Sequence, residues 1–302
     1  LNDLAQVREG KAALVAEARR LIAENEPEPV EPPPVEPPIQ TGDAWEYGLQ
    51  GCDVVVEAQP GRNPALDVAE AVKAHAGGVV GVKYPAGRFP GVAIASGSPH
   101  SELFVPGLAK ELRLVGPRGH DGLHVDPDTT LTLAGRPGDV LVAQNRDGRG
   151  PGAGFVLGLY GLEVECGGRA GVFLNTHQPM HLVERHVKFV DDPVAIANGE
   201  RPKWVHQIYD VSVDANDVVI DCPGVIEHGY YWHSLGRNAT ALRNLRVRSI
   251  GGQALQLTER TIDGNTSPAN DFLLEDSIIE GTARHLGRAG SALTFAGSGV
   301  RA

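Results

Sequence analysis

The segment NDVVIDC, Asn216 to Cys222, decides the fold because the chain repeats its pattern at a fixed spacing. RNLRVRS begins at Arg243 and NDFLLED begins at Asn270, so each segment starts 27 residues after the one before it. Apolar residues fill two shared columns, Val218, Leu245 and Phe272 in one and Ile220, Val247 and Leu274 in the other. Polar positions alternate with them, as in a strand with one buried face. Because hairpin sheets need no fixed period, the repeat predicts a coil of stacked rungs.

Upstream segments extend the same pattern. LEVEC, Leu162 to Cys166, places Cys166 in the column of Cys222 and Ser249, and HVKFV, His186 to Val190, fits less closely. The three cysteines of the chain have no C-x-x-C spacing, and the coil would hold Cys166 and Cys222 about two rungs apart. We therefore interpret the cysteines as buried thiols and not as a disulfide framework or a zinc site.

A helical pattern followed by a strand precedes the repeats. ALDVAEAVKAHAGG, residues 65–78, leads into VVGVKYPAGRF, residues 79–89. Together these resemble the entry of the pectate-lyase-like right-handed parallel β-helix superfamily, in which a helix caps the coil and a strand with a Pro-x-Gly turn starts the first rung. The resemblance covers about residues 50–302 and implies an all-β fold, a right-handed parallel β-helix with an N-terminal capping helix.

That superfamily includes polysaccharide lyases, glycoside hydrolases, epimerases, and bacteriophage tailspikes and fibres that recognise host glycans from a trimeric base. This chain lacks the paired-aspartate signature of polygalacturonases, the Asp-Pro-His-Glu run of alginate epimerases and the acid cluster of calcium-dependent pectate lyases. The resemblance therefore implies a fold and a range of functions, and it carries no catalytic residue to this sequence.

The chain divides into three predicted regions. Residues 1–26 have apolar positions at alternating steps of three and four, which predicts a helix that either oligomerises, as in a trimer, or packs on its own domain. Residues 27–41 contain PEPVEPPPVEPP, which predicts an extended stalk. Residues 42–302 form the predicted β-helix domain. A helix, a stalk and a large domain in this order favour a protein that projects from a base.

Composition excludes several classes of function. The net charge of −11 argues against a broad basic surface for nucleic acid or anionic membrane. The sequence has no apolar run long enough to cross a bilayer, so we expect no membrane insertion. His120, Asp121, His124 and Asp126 have mixed spacing on a predicted loop, and we expect neither a metal nor another cofactor.

Each repeat is followed by a second predicted strand: GVFLNTH (171–177), GYYWHS (229–234), ALQLTER (254–260) and SALTFAGS (291–298). Aligning their apolar positions predicts the inward side chains Val172, Leu174, Tyr230, Trp232, Leu255, Leu257, Leu293 and Phe295. The predicted outward side chains are Phe173, Asn175, Tyr231, His233, Gln256, Thr258 and Thr294. The opposite phase would bury His233.

An outward surface of Tyr, His, Gln, Thr and Asn suits carbohydrate, because rings cover the apolar side of a sugar and polar groups bind its hydroxyls. The alternative is an ordinary solvent-facing sheet. The stretch 199–210 is predicted to be an inserted loop whose aromatic residues contact ligand or another subunit, and the alternative is that Trp204 packs in the core. The candidate substrate-binding residues are Tyr231, Gln256, Thr258, Arg260, Asn175, Trp204 and His285.

Whether the chain is an enzyme stays open at this stage. A lyase needs a base and a group that stabilises the carboxylate. Here the base would be Tyr231 or His233, and the stabilising group would be Arg260, Arg284 or His285. A hydrolase needs two carboxyl groups about 5 to 9.5 Å apart. The candidates are Glu227, Glu259 and Asp263.

We expect a phage spike- or fibre-like protein, extracellular or on a virion surface, that recognises a host-surface polysaccharide, with or without cleaving it. One alternative is a secreted or periplasmic polysaccharide lyase or glycoside hydrolase. Another is a structural adhesin or capsid decoration without a glycan site.

Overall fold

The computed structural model describes residues 43–60, 62, 65–95, 110–118, 124, 126–132, 141–144, 154–234, 238–259, 270–280, 293–296 and 300–301. They all belong to one compact unit, Thr41–Ala302. The predicted helix 1–26 and the predicted stalk 27–41 lie outside the described residues. Within the described part, no helix is long and apolar enough to cross a membrane.

Strands make up most of the described structure. The helices are α1 (Ala44–Gly48), α2 (Ala65–Ala74) and α3 (Pro193–Ala197). The strands up to residue 191 are β1 (Val54–Glu57), β2 (Val79–Lys83), β3 (Gly87–Pro90), β4 (Ala93–Ala95), β5 (Glu111–Val115), β6 (Thr129–Thr132), β7 (Leu141–Gln144), β8 (Phe155–Cys166) and β9 (Ala170–Asp191). The later strands are β10 (Trp204–Cys222), β11 (His228–Ser234), β12 (Ala239–Ile250), β13 (Gln253–Glu259), β14 (Asn270–Glu275), β15 (Ile278–Ile279), β16 (Leu293–Ala296) and β17 (Val300–Arg301).

These strands pair in parallel and form three ladders. Ladder 1 joins β1, β2, β5, the start of β8, the middles of β9 and β10, the start of β12, β14 and β17. Ladder 2 joins β3, β6, the ends of β8, β9, β10 and β12, and β15. Ladder 3 joins β4, β7, the starts of β9 and β10, β11, β13 and β16. The mostly parallel β structure is consistent with a β-helix solenoid.

Long strands pass from one ladder to the next through left-handed backbone positions. Between ladders 1 and 2 these positions are Gly161, His186, Asp217, Asn244 and Asp276, all with positive φ. Glycine has no Cβ, and Asn, Asp and His tolerate this region better than other residues do. The chain therefore places residues that permit a sharp bend at the same point of successive rungs.

The repeat register is confirmed over its first interval and wrong over its second. Val218 pairs with Leu245, 27 residues later, and Val187 and Leu162 precede them in the same column. NDFLLED does not continue that column, because Phe272 pairs with Thr240 in ladder 1. A strand with period-two alternation fits either ladder, so apolar pattern alone could not distinguish the two registers.

The core is continuous from α2 through the stacked strands. Val68 and Val72 of α2 are buried in the same cluster as the inward residues of the ladders, and α2 contacts β1 and β2. This placement agrees with the expected capping helix. Cys166 and Cys222 are buried free thiols, as predicted, whereas Cys52 is free and partly exposed.

Candidate functional site

Ladder 3 displays the candidate site on its outer surface. The predicted alternation is confirmed where the side chains are described, since Val172, Leu174, Tyr230, Trp232, Leu255 and Leu257 are buried. Tyr231, His233, Gln256 and Thr258 alternate with them and are partly exposed. Phe173 also belongs to the outward row, but it is buried in a separate cluster with Ala170, against which Trp204 and Tyr209 pack.

The register brings the outward side chains into two rows. One row runs Phe173, Gln207, Tyr231, Gln256 and Thr294, and the other runs Asn175, Tyr209, His233 and Thr258. Trp204 and His228 pair with each other at the beginning of β10 and β11. We call this surface the aromatic platform; its members are Phe173, Asn175, Trp204, Gln207, Tyr209, His228, Tyr231, His233, Gln256 and Thr258. Five predicted substrate-binding residues therefore lie on one surface: Asn175, Trp204, Tyr231, Gln256 and Thr258.

The prediction of an inserted loop over residues 199–210 is wrong. Trp204 to Tyr209 form a complete strand of ladder 3, paired with β9 on one side and with β11 on the other. The extra length lies before it, in α3, which Asp192 caps by accepting hydrogen bonds from the amides of Val194 and Ala195. The sequence therefore pointed to Tyr209 as a contact residue on a loop but not as part of a strand, and it did not point to Gln207, although the alternation in VHQIYD was a usable signal.

Rings on the platform stack from rung to rung. Trp204 is stacked with Tyr231 at a centroid distance of 6.0 Å and an interplanar angle of 6°. Tyr209 is stacked with His233 at 4.8 Å and 9°. Tyr231 also contacts His228 at 4.8 Å and meets His233 edge to face at 4.4 Å. The rings thus form a continuous group across two neighbouring strands.

Several polar atoms of the platform lack a hydrogen-bond partner within the described part of the chain. They are Asn175 Oδ1, Trp204 Nε1, Gln207 Oε1 and His228 Nδ1, all shielded from solvent. Other platform groups are paired, since Gln207 Nε2 donates to Tyr209 Oη at 2.9 Å and Gln256 Nε2 donates to Thr258 Oγ1 at 3.2 Å. An unmatched buried polar atom costs about 1–3 kcal/mol. Four of them lie on this surface, and others, such as Tyr84 Oη and Trp232 Nε1, lie in the core.

Titration behaviour favours an uncharged Tyr231 and an uncharged His228 at neutral pH. Burial raises the pKa of Tyr231, with smaller contributions from Tyr209 and Glu227. Burial, followed by the charge of His233, lowers the pKa of His228 to about 4. Tyr231 therefore keeps its proton and His228 stays neutral near pH 7. Both are suited to donate or accept hydrogen bonds, and Tyr231 is poorly suited to act as a base.

Two of the three carboxylates proposed for hydrolysis, Glu227 and Glu259, lie at opposite ends of their strands. Glu227 immediately precedes β11 and Glu259 ends β13, and the register pairs Glu259 with Ser234 at the far end of β11. Glu227 and the level of Glu259 are therefore seven residues apart along the strand direction, which corresponds to about 23 Å. This is far beyond the 5 to 9.5 Å that glycoside hydrolysis requires, so Glu227 and Glu259 cannot serve together as the two carboxyl groups.

Glu227 instead lies 3.8 Å from Lys203 Nζ in a partly exposed ion pair. Its remaining proposed partner, Asp263, lies outside the described residues, as do Arg260, Arg284 and His285. The backbone of Glu259 is described as strand, and its side chain is not.

The histidine- and aspartate-rich segment also does not form a metal site among the described residues. The amide of His124 donates to Asp217 Oδ1 at 2.8 Å, whereas Asp126 pairs with Lys188 at 2.6 Å. His120 and Asp121 are outside the described residues. In the described ranges no group of three or more His, Cys, Asp or Glu side chains is arranged to hold a metal ion.

Among the described residues, the cavity that borders the platform is small. A cavity bordered by His233, Asn238 and Asp271 at the end of ladder 3 measures about 10 Å³. This volume holds roughly one water molecule and is too small for a sugar. A ligand of the platform would therefore lie across the rungs.

Comparison with known proteins adds no assignment, because no family model, curated protein or solved structure matches the chain.

Proposed function

We propose that this chain is a right-handed parallel β-helix of the pectate-lyase-like type and that it recognises a surface polysaccharide through the aromatic platform. The fold proposal is supported by the three parallel ladders and by α2 packed against β1 and β2. The observation that carries the function is the concentration of stacked rings and unmatched polar atoms on one outward surface.

The chemistry of the platform matches that of a sugar. Aromatic rings contact the C–H groups of a pyranose, and amide, indole and imidazole groups bind its hydroxyls. Rotation of Asn175 or Gln207 would turn an unmatched carbonyl towards a bound hydroxyl, so binding would remove a cost that the free protein carries. Rung spacing repeats these groups about every 4.8 Å, which suits an extended chain of sugars.

Recognition without cleavage is the leading form of this proposal. Tyr231 keeps its proton near neutral pH, and Glu227 lies about 23 Å from Glu259 along the strands. A polysaccharide lyase with His233 as base is the second candidate, favoured by its contact with Tyr231 at 4.4 Å. The biological setting that fits recognition is a phage spike or fibre, extracellular or on a virion surface, with a periplasmic location as the alternative.

The binding test replaces two platform residues together. Tyr231→Ala/His233→Ala should weaken retention in gels that contain the matching polysaccharide by at least tenfold, because both rings are removed. Leu273→Ala/Ile278→Ala is the matched control, since these two exposed residues lie on ladders 1 and 2. Equal retention of the two variants, with unfolding unchanged, would overturn the proposal that the platform binds glycan.

A second assay separates binding from catalysis. The protein is incubated with acidic and neutral polysaccharides while unsaturated uronate absorbance and new reducing ends are followed. Both signals together would establish a lyase, and reducing ends alone would establish a hydrolase. Binding without either signal is the result we expect.

The assembly proposal concerns residues 1–26, which we propose form a trimer. Light scattering of the whole chain and of a chain starting at residue 42 should give a trimer and a monomer, respectively. A monomeric whole chain would remove the main support for a spike or fibre.

A further inference from the structure

A buried group of ionisable residues lies behind the platform. Glu184 comes from β9 in ladder 1, while His206 and Tyr230 come from β10 and β11 in ladder 3. All three side chains are 0% exposed. The proposed glycan site does not use them.

The three side chains are joined by short polar contacts. His206 Nε2 lies 2.8 Å from Glu184 Oε1, and Tyr230 Oη donates to Glu184 Oε2 at 2.5 Å. His206 Nδ1 lies 3.2 Å from the carbonyl oxygen of Gly229. The imidazole also stacks on Tyr230 at 3.8 Å and 6° and meets Phe189 at 4.4 Å.

Counting donors and acceptors determines how many protons this group holds. A backbone carbonyl can only accept, so the hydrogen bond to Gly229 requires a proton on His206 Nδ1. The contact between Nε2 and Oε1 then requires one further proton, placed on either the imidazole or the carboxyl group. Without that proton two lone pairs would face each other at 2.8 Å. With it, every polar atom of the group has a partner.

The apolar surroundings make any other number of protons on this group unfavourable. Glu184 is flanked in ladder 1 by Leu159 and Ala215, and the row of His206 and Tyr230 is flanked by Val172 and Leu255. Among the described elements packed on the group, these neighbours and Phe189 are apolar. Losing the proton would leave a net negative charge in this core, and gaining another would leave a net positive charge.

We propose that Glu184 and His206 hold one shared proton in the core, and that the stability of the fold depends on pH through it. In an unfolded chain a glutamate loses its proton at about pH 4.3 and a histidine at about pH 6.5. Between about pH 4.3 and about pH 6.5, the Glu184–His206 pair therefore holds one such proton in the unfolded chain and one in the folded chain. Above about pH 6.5 the unfolded pair holds none, so stability falls as pH rises; below about pH 4.3 it holds two, so stability falls as pH falls.

Glu184→Gln tests the proposal because the amide keeps every hydrogen bond without the shared proton. The amide nitrogen of the new side chain would donate to a neutral His206, and its carbonyl oxygen would accept from Tyr230. The folding equilibrium constant of the wild type relative to this variant should fall by about tenfold per pH unit above about pH 4.3. Guanidinium unfolding at pH 5, 6, 7 and 8 measures this slope.

Glu200→Gln is the matched control, because Glu200 is exposed after α3. The folding equilibrium constant of the wild type relative to Glu200→Gln should be constant above pH 5. If the folding equilibrium constant of the wild type relative to Glu184→Gln is constant as well, the proposal of a shared proton is overturned. If Glu184→Gln does not fold, ¹⁵N spectra of the wild type, with His206 assigned, decide the matter. Together with the ¹³C signal of the Glu184 carboxyl group, they should show a proton on either His206 Nε2 or that carboxyl group from pH 5 to 8. An unprotonated Nε2 beside an ionised carboxyl group in this range would overturn the proposal.

Discussion

Tyr230 and Tyr231 are neighbours in the sequence and belong to two different environments. Tyr230 points into the core, where its hydroxyl group donates to Glu184 and its ring stacks on His206. Tyr231 points outward and stacks on Trp204. Rung-to-rung stacking orders the rings on both sides of ladder 3. The inner group of Glu184, His206 and Tyr230 differs from the platform in its polar atoms, because each of its polar atoms has a partner whereas four platform atoms have none among the described residues. The match is confined to that group, since Trp232 Nε1 on the same inner side is also unmatched.

This difference indicates what each side contributes. Polar groups inside a core are tolerated when each has a partner, and such a group then specifies one arrangement of strands. Unmatched groups on an outward surface reduce stability and are retained where a ligand can satisfy them. We infer that the inner group serves the fold and that the platform serves recognition.

The largest expected effect comes from removing the inner ring. Tyr230→Ala should lower the free energy of unfolding by about 3–5 kcal/mol, because it opens a cavity and removes a donor from Glu184. Tyr231→Ala, the matched control on the outer side, should cost less than about 1 kcal/mol. Guanidinium unfolding compares them, and equal losses would show that the two sides do not differ as described.

Phe173 tests whether one edge of the platform is itself packed. It is 4% exposed, and the guanidinium group of Arg169 lies 4.1 Å from the centre of its ring. Phe173→Ala should therefore cost about 2–3 kcal/mol, between the values for the two tyrosines. Thr258→Ala in the other row should cost less than about 0.5 kcal/mol. A loss for Phe173→Ala as small as that of the control would show a ring without structural contacts.

A smaller change isolates the inner hydroxyl group. Tyr230→Phe keeps the stacking on His206 and removes the hydrogen bond to Glu184, which should cost about 1–2 kcal/mol. Tyr209→Phe, which removes an acceptor from Gln207 on the partly exposed platform, should cost less than that. The reverse order of the two losses would place the critical hydroxyl group outside the core.

The smallest expected effect is the acid response of the platform. Because the pKa of His228 is lowered to about 4 in the folded chain, the unfolded chain binds a proton first as pH falls from about 6.5. The wild type should then lose stability relative to His228→Gln between about pH 6.5 and 4, by roughly 1 kcal/mol after allowing for solvent screening. Thermal unfolding across this range checks the sign. A stability difference that stays flat would mean that His228 titrates as in an unfolded chain.

Much of the candidate site follows from alternation along single strands. GYYWHS and ALQLTER could be aligned correctly because inward apolar residues alternate with outward residues in both segments. The structure accordingly pairs Tyr231 with Gln256 and His233 with Thr258. The rung from Trp204 to Tyr209 was missed because the preceding α3 made the interval long. The extra residues between the two strands are a helix and the beginning of the next strand, not a protruding loop.

The buried group could not be predicted from any one segment. Glu184 and His206 are separated by 22 residues and belong to different ladders. Alternation in MHLVERHVK places Glu184 on the inward face with Met180 and Leu182, but it does not indicate which side chains contact the carboxyl group there. Its contacts exist because β9 and β10 place ladder 1 opposite ladder 3 across the core.

The sequence by itself determined which side chains of a strand point inward, because successive residues alternate across a strand regardless of what lies beside it. It also indicated stacked parallel strands through one accurate interval of 27 residues, between Val218 and Leu245. Only the tertiary structure decided which strands are neighbours, and therefore that Trp204 stacks on Tyr231 and that Phe272 pairs with Thr240. Register depends on the length and shape of every connection between strands, and alternation within a strand carries no information about either.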